Sequence, residues 1–284
     1  MKILVTGATG FIGNNLINEL LKDTKLEIIS TSRDANKAEK FDWFSKTKYI
    51  PYDINNSKEL DLFSYFNKPD RLIHLAWQGL PNYQDLIHIE KNLFNDYKFI
   101  KNLITCGLRD ITVTGTCFEY GMINGCLTED MKTKPDNSYA IAKDSLRKFI
   151  EELQKKNNFN YKWIRLFYMY GEGQNKNSLI SLLNEAIKKG DKEFNMSGGE
   201  QLRDYLHVNE VVSIISKIAK QNEIDNQIIN CCKGTPISIK KLVENHLNEK
   251  KYKMKLNLGY YPYPTYEPMS FWGDSSKIKK ILNG

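Results

Sequence analysis

Apolar residues recur along the first 165 positions with two alternating periods. Short apolar runs predict strands at Ile3–Val5, Leu26–Ser30, Tyr49–Tyr52, Arg71–Leu75, Asp110–Thr114 and Lys162–Phe167. Between them, apolar residues spaced three to four apart predict helices at Phe11–Lys22, near Ser57–Phe66, at Ile87–Thr105 and at Tyr139–Lys155. This alternation is typical of an α/β protein with a doubly wound, mostly parallel sheet and helices on both faces.

The alternation becomes less regular after Gly171. Helices are predicted at Ser178–Lys189 and Val208–Lys220, and a strand at Gln227–Cys231. The tract Gly259–Phe271 is rich in proline and aromatic residues and predicts an extended segment. Such a segment is either a connector along the surface or part of a lid over a substrate.

Composition narrows the class of protein. The chain has 284 residues, of which 41% are hydrophobic and 26% charged, as in an ordinary globular protein. No apolar run approaches the roughly 18–20 residues of a membrane span, and the short N-terminal run does not resemble a signal peptide. We therefore expect a cytoplasmic protein without a membrane partner.

Charge and cysteines exclude further classes. The net charge of +7 indicates either a solvated basic face or a field that attracts anionic ligands. The sequence contains no zinc-finger spacing, RNP motif or continuous basic stripe, so no nucleic-acid partner is expected. Its five cysteines form no CxxC pair, which predicts reduced thiols and no metal site.

A glycine-rich segment, Thr6–Gly13, lies between the first predicted strand and the first predicted helix. Gly7 permits a tight turn, Gly10 permits close approach of a pyrophosphate, and Gly13 permits the helix to pack against the sheet. Free amide groups at the helix N-terminus favour phosphate. This context predicts a dinucleotide site that includes Gly7, Thr9, Gly10, Phe11 and Ile12.

The end of the second predicted strand distinguishes between the two nicotinamide dinucleotides. Proteins that bind NAD usually place an acidic residue there, on the ribose 2′-hydroxyl. Here Arg33 can pair with a 2′-phosphate and Ser32 can donate to it, which favours NADP(H). In the alternative, Arg33 is merely exposed and Asp34 reaches the ribose of NAD(H).

Further segments resemble the extended short-chain dehydrogenase/reductase family from Lys2 to about Lys280. They are the spacing Gly7-x-x-Gly10-x-x-Gly13, Tyr52-Asp53-Ile54, His74-Leu75-Ala76 and Asn92. The resemblance implies a Rossmann-type fold. A dinucleotide-binding domain would span 1–170 with a returning segment near 205–233, and a smaller mixed substrate-binding region would span mainly 171–284. It also implies that Asp53 contacts the adenine amine and that the cofactor site includes Ile54, Leu75, Ala76, Trp77 and Asn92.

The family's YxxxK signature is present as Tyr139 and Lys143, which share one helix face. It follows the segment Thr114–Gly121, in which Thr116 occupies the family's catalytic Ser/Thr position. The resemblance implies that Tyr139 is the acid or base, that Lys143 also holds the cofactor ribose, and that Thr116 orients the substrate oxygen. A neighbouring ammonium and the oxidised nicotinamide are expected to lower the pKa of Tyr139 from its reference value near 10.

Segments in the second half of the chain resemble those of family members that act on nucleotide sugars. The segment beginning at Arg203 resembles one in which an Arg pairs with the substrate pyrophosphate, the alternative being a surface ion pair with Asp204 or Glu200. Tyr168 stands where many members have an Asn that touches substrate. The implied substrate residues are Thr116, Cys117, Phe118, Tyr139, Tyr168 and Arg203.

Departures from the family's sequence patterns argue against two of the reactions that its members catalyse. The 4,6-dehydratases carry Thr-Asp-Glu where this chain has Thr116-Cys117-Phe118, so dehydration is not expected. The epimerase-reductase that makes GDP-fucose has a Cys at the position of Phe118, so C3/C5 epimerisation is not expected either. Net reduction of a 4-keto sugar by NADPH and C4 epimerisation with retained NAD remain, and Arg33 favours reduction. A non-catalytic NAD(P)-binding module is the alternative of another class.

The segment Trp77–Tyr83 resembles reductases of dTDP-4-keto-6-deoxyhexoses. That likeness implies a role in deoxysugar and surface-polysaccharide biosynthesis, with Phe118 or Trp77 beside an apolar pocket for C6. The family also implies a homodimer through the helices that hold Asn92 and Tyr139.

Overall fold

The structure is a computed structural model and describes residues 1–56 and 60–283. Its strands are β1 (Lys2–Thr6), β2 (Glu27–Thr31), β3 (Lys48–Tyr49), β4 (Arg71–His74), β5 (Asp110–Thr116), β6 (Gly125–Leu127), β7 (Asn160–Leu166), β8 (Tyr168–Tyr170), β9 (Glu193–Asn195), β10 (Leu202–Arg203), β11 (Tyr205–His207), β12 (Gln227–Cys231), β13 (Ile237–Ser238), β14 (Lys255–Asn257) and β15 (Phe271–Gly273). Its α-helices are α1 (Phe11–Leu20), α2 (Ala35–Ala38), α3 (Leu62–Tyr65), α4 (Leu93–Thr105), α5 (Ser138–Gln154), α6 (Leu179–Lys189), α7 (Val208–Lys220), α8 (Ile239–Glu249) and α9 (Ser276–Asn283).

Seven of these strands form one parallel sheet in the order β12-β7-β5-β4-β1-β2-β3. The chain winds outward from β1 in one direction to β3 and in the other through β4 to β12. The connections on the two sides of β1 therefore diverge, and a crevice opens beyond the carboxyl ends of β1 and β4. The predicted doubly wound sheet with flanking helices is confirmed.

Alternate side chains of each strand enter different cores. On β1, Ile3 and Val5 belong to one core with Leu16 of α1 and helix α7. The intervening Leu4 belongs to the opposite core with Ile100 of α4 and helix α5. Because both faces of the sheet are covered, the central strand β1 is apolar on both faces over Ile3–Val5, and polar side chains of β5 and β7, such as Thr112 and Lys162, are buried.

Three predicted elements differ from the observed ones. The strand Tyr49–Tyr52 shortens to β3, after which the chain leaves the sheet toward the crevice. Of the helix predicted near Ser57–Phe66, positions 57–59 lie outside the described residues, and the observed α3 begins at Leu62 with the Asp61 side chain as its N-cap. The long helix Ile87–Thr105 starts with a π-helical turn, His88–Asn92, before α4. Every helix that the structure describes is too short or too polar to cross a bilayer.

A smaller mixed region follows β8. Strands β9 and β14 pair beside α6 and α8, around a core that contains Leu183, Phe194, Val243 and Leu247. The chain returns to the large sheet through α7, which packs on α1, and β12, which pairs with β7. The division into a domain 1–170 with a returning segment near 205–233 and a region mainly 171–284 remains a prediction.

Candidate active site

The glycine loop fits tightly between β1, β4 and α1. Gly7 has a φ of +69°, and a Cβ added there would stand 2.9 Å from the Ala76 nitrogen. A Cβ added at Gly13 would stand 2.1 Å from the Gly7 carbonyl oxygen. Because no side chain fits at either position, the backbone and the first amide groups of α1 can approach a phosphate directly.

A buried hydrogen-bond network joins the carboxyl ends of β1 and β4. The Thr6 hydroxyl oxygen accepts from the Leu75 and Ala76 amides at 3.1 and 3.2 Å and lies 3.0 Å from His74 Nδ1. His74 Nε2 lies 2.6 Å from a carboxylate oxygen of Asp96. The network fixes the floor of the crevice, and sequence reasoning missed both Thr6 and Asp96.

The crevice contains a cavity of about 300 Å³. Eleven predicted cofactor residues line it: Gly7, Thr9, Gly10, Ser32, Arg33, Asp53, Ile54, Leu75, Ala76, Trp77 and Asn92. Thr31 and Tyr52 also line it, and their hydroxyl oxygens are buried without a hydrogen-bond partner among the described residues. The glycine cradle, which a Cβ would fill, together with these lining residues fits a dinucleotide.

The far end of this cavity is cationic. Arg33 lies exposed at its rim and donates from Nη1 to Gln78 Oε1 at 2.9 Å, and Lys37, missed by sequence reasoning, lines it too. The Asp34 carboxylate accepts from the Lys37 amide at 3.0 Å and caps α2. Asp34, which the alternative placed on the ribose, is not among the residues that line this cavity.

A second cavity of about 290 Å³ adjoins the first, and Leu75 and Trp77 line both. It brings together the predicted residues Phe11, Ile12, Thr116, Cys117, Phe118, Tyr139, Lys143 and Tyr168. Phe11 and Ile12, predicted for the cofactor, thus lie in this wall. Sequence reasoning missed Tyr83 and Gln174, which also face this cavity. Most of the lining side chains are apolar or aromatic.

Thr116 ends β5 and begins a short helical turn. Its Oγ1 accepts from the Phe118 amide at 3.3 Å, and its own amide donates to the fully buried Glu119 carboxylate at 2.9 Å. Glu119 is held in turn by Trp163 Nε1 and Arg165 Nε, at 2.9 and 2.8 Å. The Thr116 hydroxyl is thereby fixed in direction and can donate its proton into the cavity.

Tyr139 and Lys143 lie in the first turns of α5, whose N-cap is the Asn137 side chain. Both line the second cavity, as their shared helix face predicted. The Tyr139 amide donates to the Tyr83 carbonyl at 3.0 Å. The Lys143 ammonium donates to the Thr114 carbonyl at 2.9 Å and is 2% exposed.

The ionisation of this pair differs from expectation. Burial raises the pKa of Tyr139, and Tyr83 and Glu119 act in the same direction, whereas the Thr116 hydroxyl lowers it. Burial also lowers the pKa of Lys143 to about 8, against the opposing effect of Asp96 and Glu119. Desolvation therefore raises the pKa of Tyr139, in the direction opposite to the lowering that was expected from a neighbouring ammonium. At neutral pH Tyr139 keeps its proton and can act as a donor.

Two predicted substrate residues occupy one buried cluster. The Tyr168 hydroxyl is buried and has no hydrogen-bond partner in the described part of the chain. The Arg203 guanidinium carbon lies 5.7 Å from the Tyr168 ring centroid, and its Nη2 donates to Glu267 at 2.8 Å. The alternative of a surface ion pair with Asp204 or Glu200 is wrong, because Arg203 is 1% exposed and pairs with Glu267.

The tract Gly259–Phe271 passes next to this cluster. It carries Glu267, the partner of Arg203, and Tyr266, whose ring lies 6.0 Å from that of Tyr83 in the second cavity. Strand β15 then pairs with β6. Of the two interpretations of this tract, the contacts agree with a cover near the second cavity.

Comparison with known proteins adds independent evidence. The model of the NAD dependent epimerase/dehydratase family matches residues 3–232. The chain is 28% identical over 276 residues to dTDP-6-deoxy-L-talose 4-dehydrogenase (NAD(+)) of Aggregatibacter actinomycetemcomitans, covering 96% of this chain and 99% of the relative. It is 27% identical over 259 residues to dTDP-4-dehydro-6-deoxyglucose reductase of Escherichia coli, covering 85% of this chain and 79% of the relative.

A solved structure gives the same result for the fold. UDP-glucose 4-epimerase of Thermotoga maritima, solved with UDP-glucose, superimposes with a TM-score of 0.87 at 22% identity, over 99% of this chain and 92% of that chain. At that identity the likeness establishes the fold alone. The matched family model, the doubly wound sheet and the resemblance in sequence agree, and the chain belongs to the NAD-dependent epimerase/dehydratase family of extended short-chain dehydrogenases/reductases.

Proposed function

We propose that this protein uses NADPH to reduce the C4 keto group of a nucleotide-linked 4-keto-6-deoxyhexose, with dTDP as the expected nucleotide. The observation that carries the proposal is the convergence of Thr116, Tyr139 and Lys143 on one largely apolar cavity that adjoins the dinucleotide crevice. Such a cavity suits a sugar carbonyl at its polar end and a methyl group at its apolar end.

Each side chain has a defined part in the reduction. The bound dinucleotide supplies the hydride. Tyr139 donates its proton to the carbonyl oxygen as negative charge develops there, and the raised pKa of Tyr139 favours this protonated form at neutral pH. The Thr116 hydroxyl donates a hydrogen bond to the same oxygen and orients it. The Lys143 ammonium supplies positive charge beside them and is positioned to hold the cofactor ribose.

Support for a 6-deoxyhexose comes from two sources. Phe118 and Trp77 present aromatic surface in the second cavity, where a C6 methyl group loses less on desolvation than a hydroxyl. The two relatives described above are named for C4 chemistry on dTDP-linked 6-deoxy sugars. A 4-dehydrogenase and a 4-keto reductase catalyse the same hydride transfer in opposite directions.

The preference for NADP(H) rests on the cationic end of the crevice. Arg33, Lys37 and the Ser32 hydroxyl surround the site proposed for a 2′-phosphate. The relative from Aggregatibacter actinomycetemcomitans is named for NAD(+). Cofactor preference is therefore the property in which we expect this chain to differ from that relative.

The nucleotide part of the substrate is assigned to the region beyond Tyr168. Tyr205, whose ring lies 5.3 Å from that of Tyr168, lines a third cavity of about 310 Å³ together with Lys233 and His246. Lys233 supplies positive charge for a diphosphate. Arg203 is not among the residues that line this cavity, and its guanidinium is held by Glu267.

The test is an assay of NADPH consumption on dTDP-4-keto-6-deoxyglucose, with identification of the product by NMR. Tyr139→Phe removes the proton donor and is expected to lower kcat by about 10²- to 10⁴-fold while cofactor affinity is retained. Tyr97→Phe is the matched control, because this tyrosine packs on Phe149 of α5 outside the three cavities. Undiminished turnover by Tyr139→Phe would contradict the assignment.

Other outcomes select the alternatives. Protein that retains NAD and interconverts C4 epimers without net consumption of NADPH is an epimerase. Protein that binds NADPH but turns over no keto sugar is a non-catalytic binding module, because a fold does not guarantee its chemistry.

A further inference from the structure

The loop that follows β4 touches both members of the proposed catalytic pair. The Lys143 ammonium lies 4.0 Å from the centroid of the Trp77 ring. The same indole meets the Tyr139 ring edge-on, with centroids 6.0 Å apart. At the other end of the loop, Tyr83 accepts from the Tyr139 amide and lies 5.6 Å from its ring. The loop therefore supports the pair from the side that faces both cavities.

His88 fixes both ends of this loop. Trp77 Nε1 donates to His88 Nδ1 at 3.0 Å, and His88 Nε2 lies 2.8 Å from the Asn82 carbonyl oxygen. An indole N–H can only donate and a carbonyl oxygen can only accept. The imidazole of His88 is therefore neutral with its proton on Nε2. Since His88 is fully buried, its two ring nitrogens serve to hold the loop and do not contact solvent.

The π-helical turn His88–Asn92 brings a second side chain to the same loop. Asn92 Nδ2 donates to the Gln78 carbonyl at 2.9 Å. Gly79, at a φ of +86°, passes so close that an added Cβ would meet His88 Cε1 at 3.1 Å. Single π-turns often occur at functional sites. Here the turn lets two residues of one helix hold the loop that carries Trp77.

We propose that Trp77, anchored by His88, is a positioning residue that holds Lys143 and stabilises its ammonium in the buried site. The aromatic face attracts the cation where water is excluded, and the Thr114 carbonyl supplies a direct hydrogen bond. Asp96 and Glu119 are the charged groups that act on Lys143 from α4 and from the turn after β5. The proposal rests on the role given to Lys143 under the proposed function.

Two variants test the aromatic face of Trp77 separately from its hydrogen bond to His88. Trp77→Leu removes the aromatic face, and Trp77→Phe keeps a face but loses the bond to His88. Because the face favours charged Lys143, its loss is expected to move the alkaline limb of the kcat/KM profile down by about one pH unit. Trp77→Phe is expected to give a smaller shift. Each shift should also appear in the pH dependence of NADP⁺ affinity, which calorimetry measures without any sugar.

Trp43→Phe is the matched control. Trp43 is another buried tryptophan, and its Nε1 donates to Asn14 Oδ1 at 2.9 Å, outside the described cavities. The Trp43→Phe variant loses the same kind of hydrogen bond but is expected to leave the pH profiles of kcat/KM and of NADP⁺ affinity unchanged. His88→Gln retains an acceptor and a donor and is expected to behave like the wild type, whereas His88→Leu provides neither and should resemble Trp77→Phe.

The outcomes distinguish this proposal from the reductase assignment. If folded Trp77→Leu shows the same pH dependence of NADP⁺ affinity as the wild type, the proposal is overturned, regardless of which substrate the protein reduces. If Trp77→Leu does not fold, unchanged profiles in both Trp77→Phe and His88→Leu have the same meaning. A shifted affinity profile in a protein that turns over no keto sugar supports the role of Trp77 and rejects the reductase assignment.

Discussion

Replacement of Arg33 by Ala tests the cofactor preference most directly. The Arg33 guanidinium lies at the cationic rim and donates to one neutral partner, Gln78, which under the proposed function it exchanges for the 2′-phosphate of NADPH. Hydrogen bonds to charged groups contribute about 1.5–3 kcal/mol, and the exposed rim favours the lower end of that range. A loss of about 1.5–2 kcal/mol corresponds to a roughly 10- to 30-fold rise in the KM for NADPH. NADH lacks the phosphate, so its KM should be unchanged.

The measurement is the ratio of kcat/KM for NADPH and NADH, in wild type and variant, at fixed ionic strength. Arg109→Ala is the matched control, because it removes the same charge at the amino end of β5, away from the carboxyl ends of the strands where the crevice lies. There the guanidinium donates to the Ile104 and Leu108 carbonyls. Equal effects of Arg33→Ala on both cofactors would refute a phosphate contact. The same loss in Arg109→Ala would point to net charge rather than a specific bond.

Three further predictions concern the active site and the core. Because burial lowers the pKa of Lys143 to about 8, kcat/KM should fall as the pH rises through about 8 and the ammonium loses its proton, and a pH–rate profile checks this. Gly13→Ala places a Cβ against the Gly7 carbonyl, so overpacking of about 1–3 kcal/mol should weaken NADPH binding roughly 5- to 150-fold by calorimetry. Lys162→Met leaves Asp110 with Arg71, whose Nε lies 3.9 Å away, in place of the cation at 2.6 Å, and should lower the free energy of unfolding by about 1–3 kcal/mol in denaturant titrations.

Each of these predictions has a control. Lys143→Arg keeps its charge at all accessible pH values and should lose the limb near pH 8; a limb that stays in place would assign it to another group. Gly190→Ala adds a Cβ that meets no described atom within 4 Å, at the end of α6, and should leave cofactor affinity intact. Lys155→Met removes an exposed ion pair with Glu152 and should change stability little, so an equal loss there would contradict the reasoning for Lys162.

The features that a single sequence can predict are those encoded within a few neighbouring residues. The glycine loop needs three residues within seven positions, and the pair Tyr139 and Lys143, which the structure places on one cavity, needs two residues four apart on a helix. The sheet followed from short apolar strands separated by helical periods. Local spacing carries this information because each pattern is formed by one strand, turn or helix.

The features that sequence reasoning missed depend on contacts between distant segments. Asp96 reaches His74 across 22 positions, and Glu267 reaches Arg203 across 64. The direction in which the Tyr139 pKa shifts likewise depends on burial beneath segments that are distant in the chain, such as the one that carries Tyr83. A single sequence contains no local signal for such contacts, although a buried charge requires a partner.

The wall formed by Leu75 and Trp77 belongs to two cavities at once. A ligand that displaces these side chains changes the surface offered to the other ligand, and in that case the two binding equilibria are thermodynamically linked. The factor by which the proposed dinucleotide alters the affinity for the proposed sugar then equals the factor by which the sugar alters the affinity for the dinucleotide. The order in which the two ligands bind, which steady-state kinetics measures, then depends on the position of Leu75 and Trp77 as well as on the depth of each cavity.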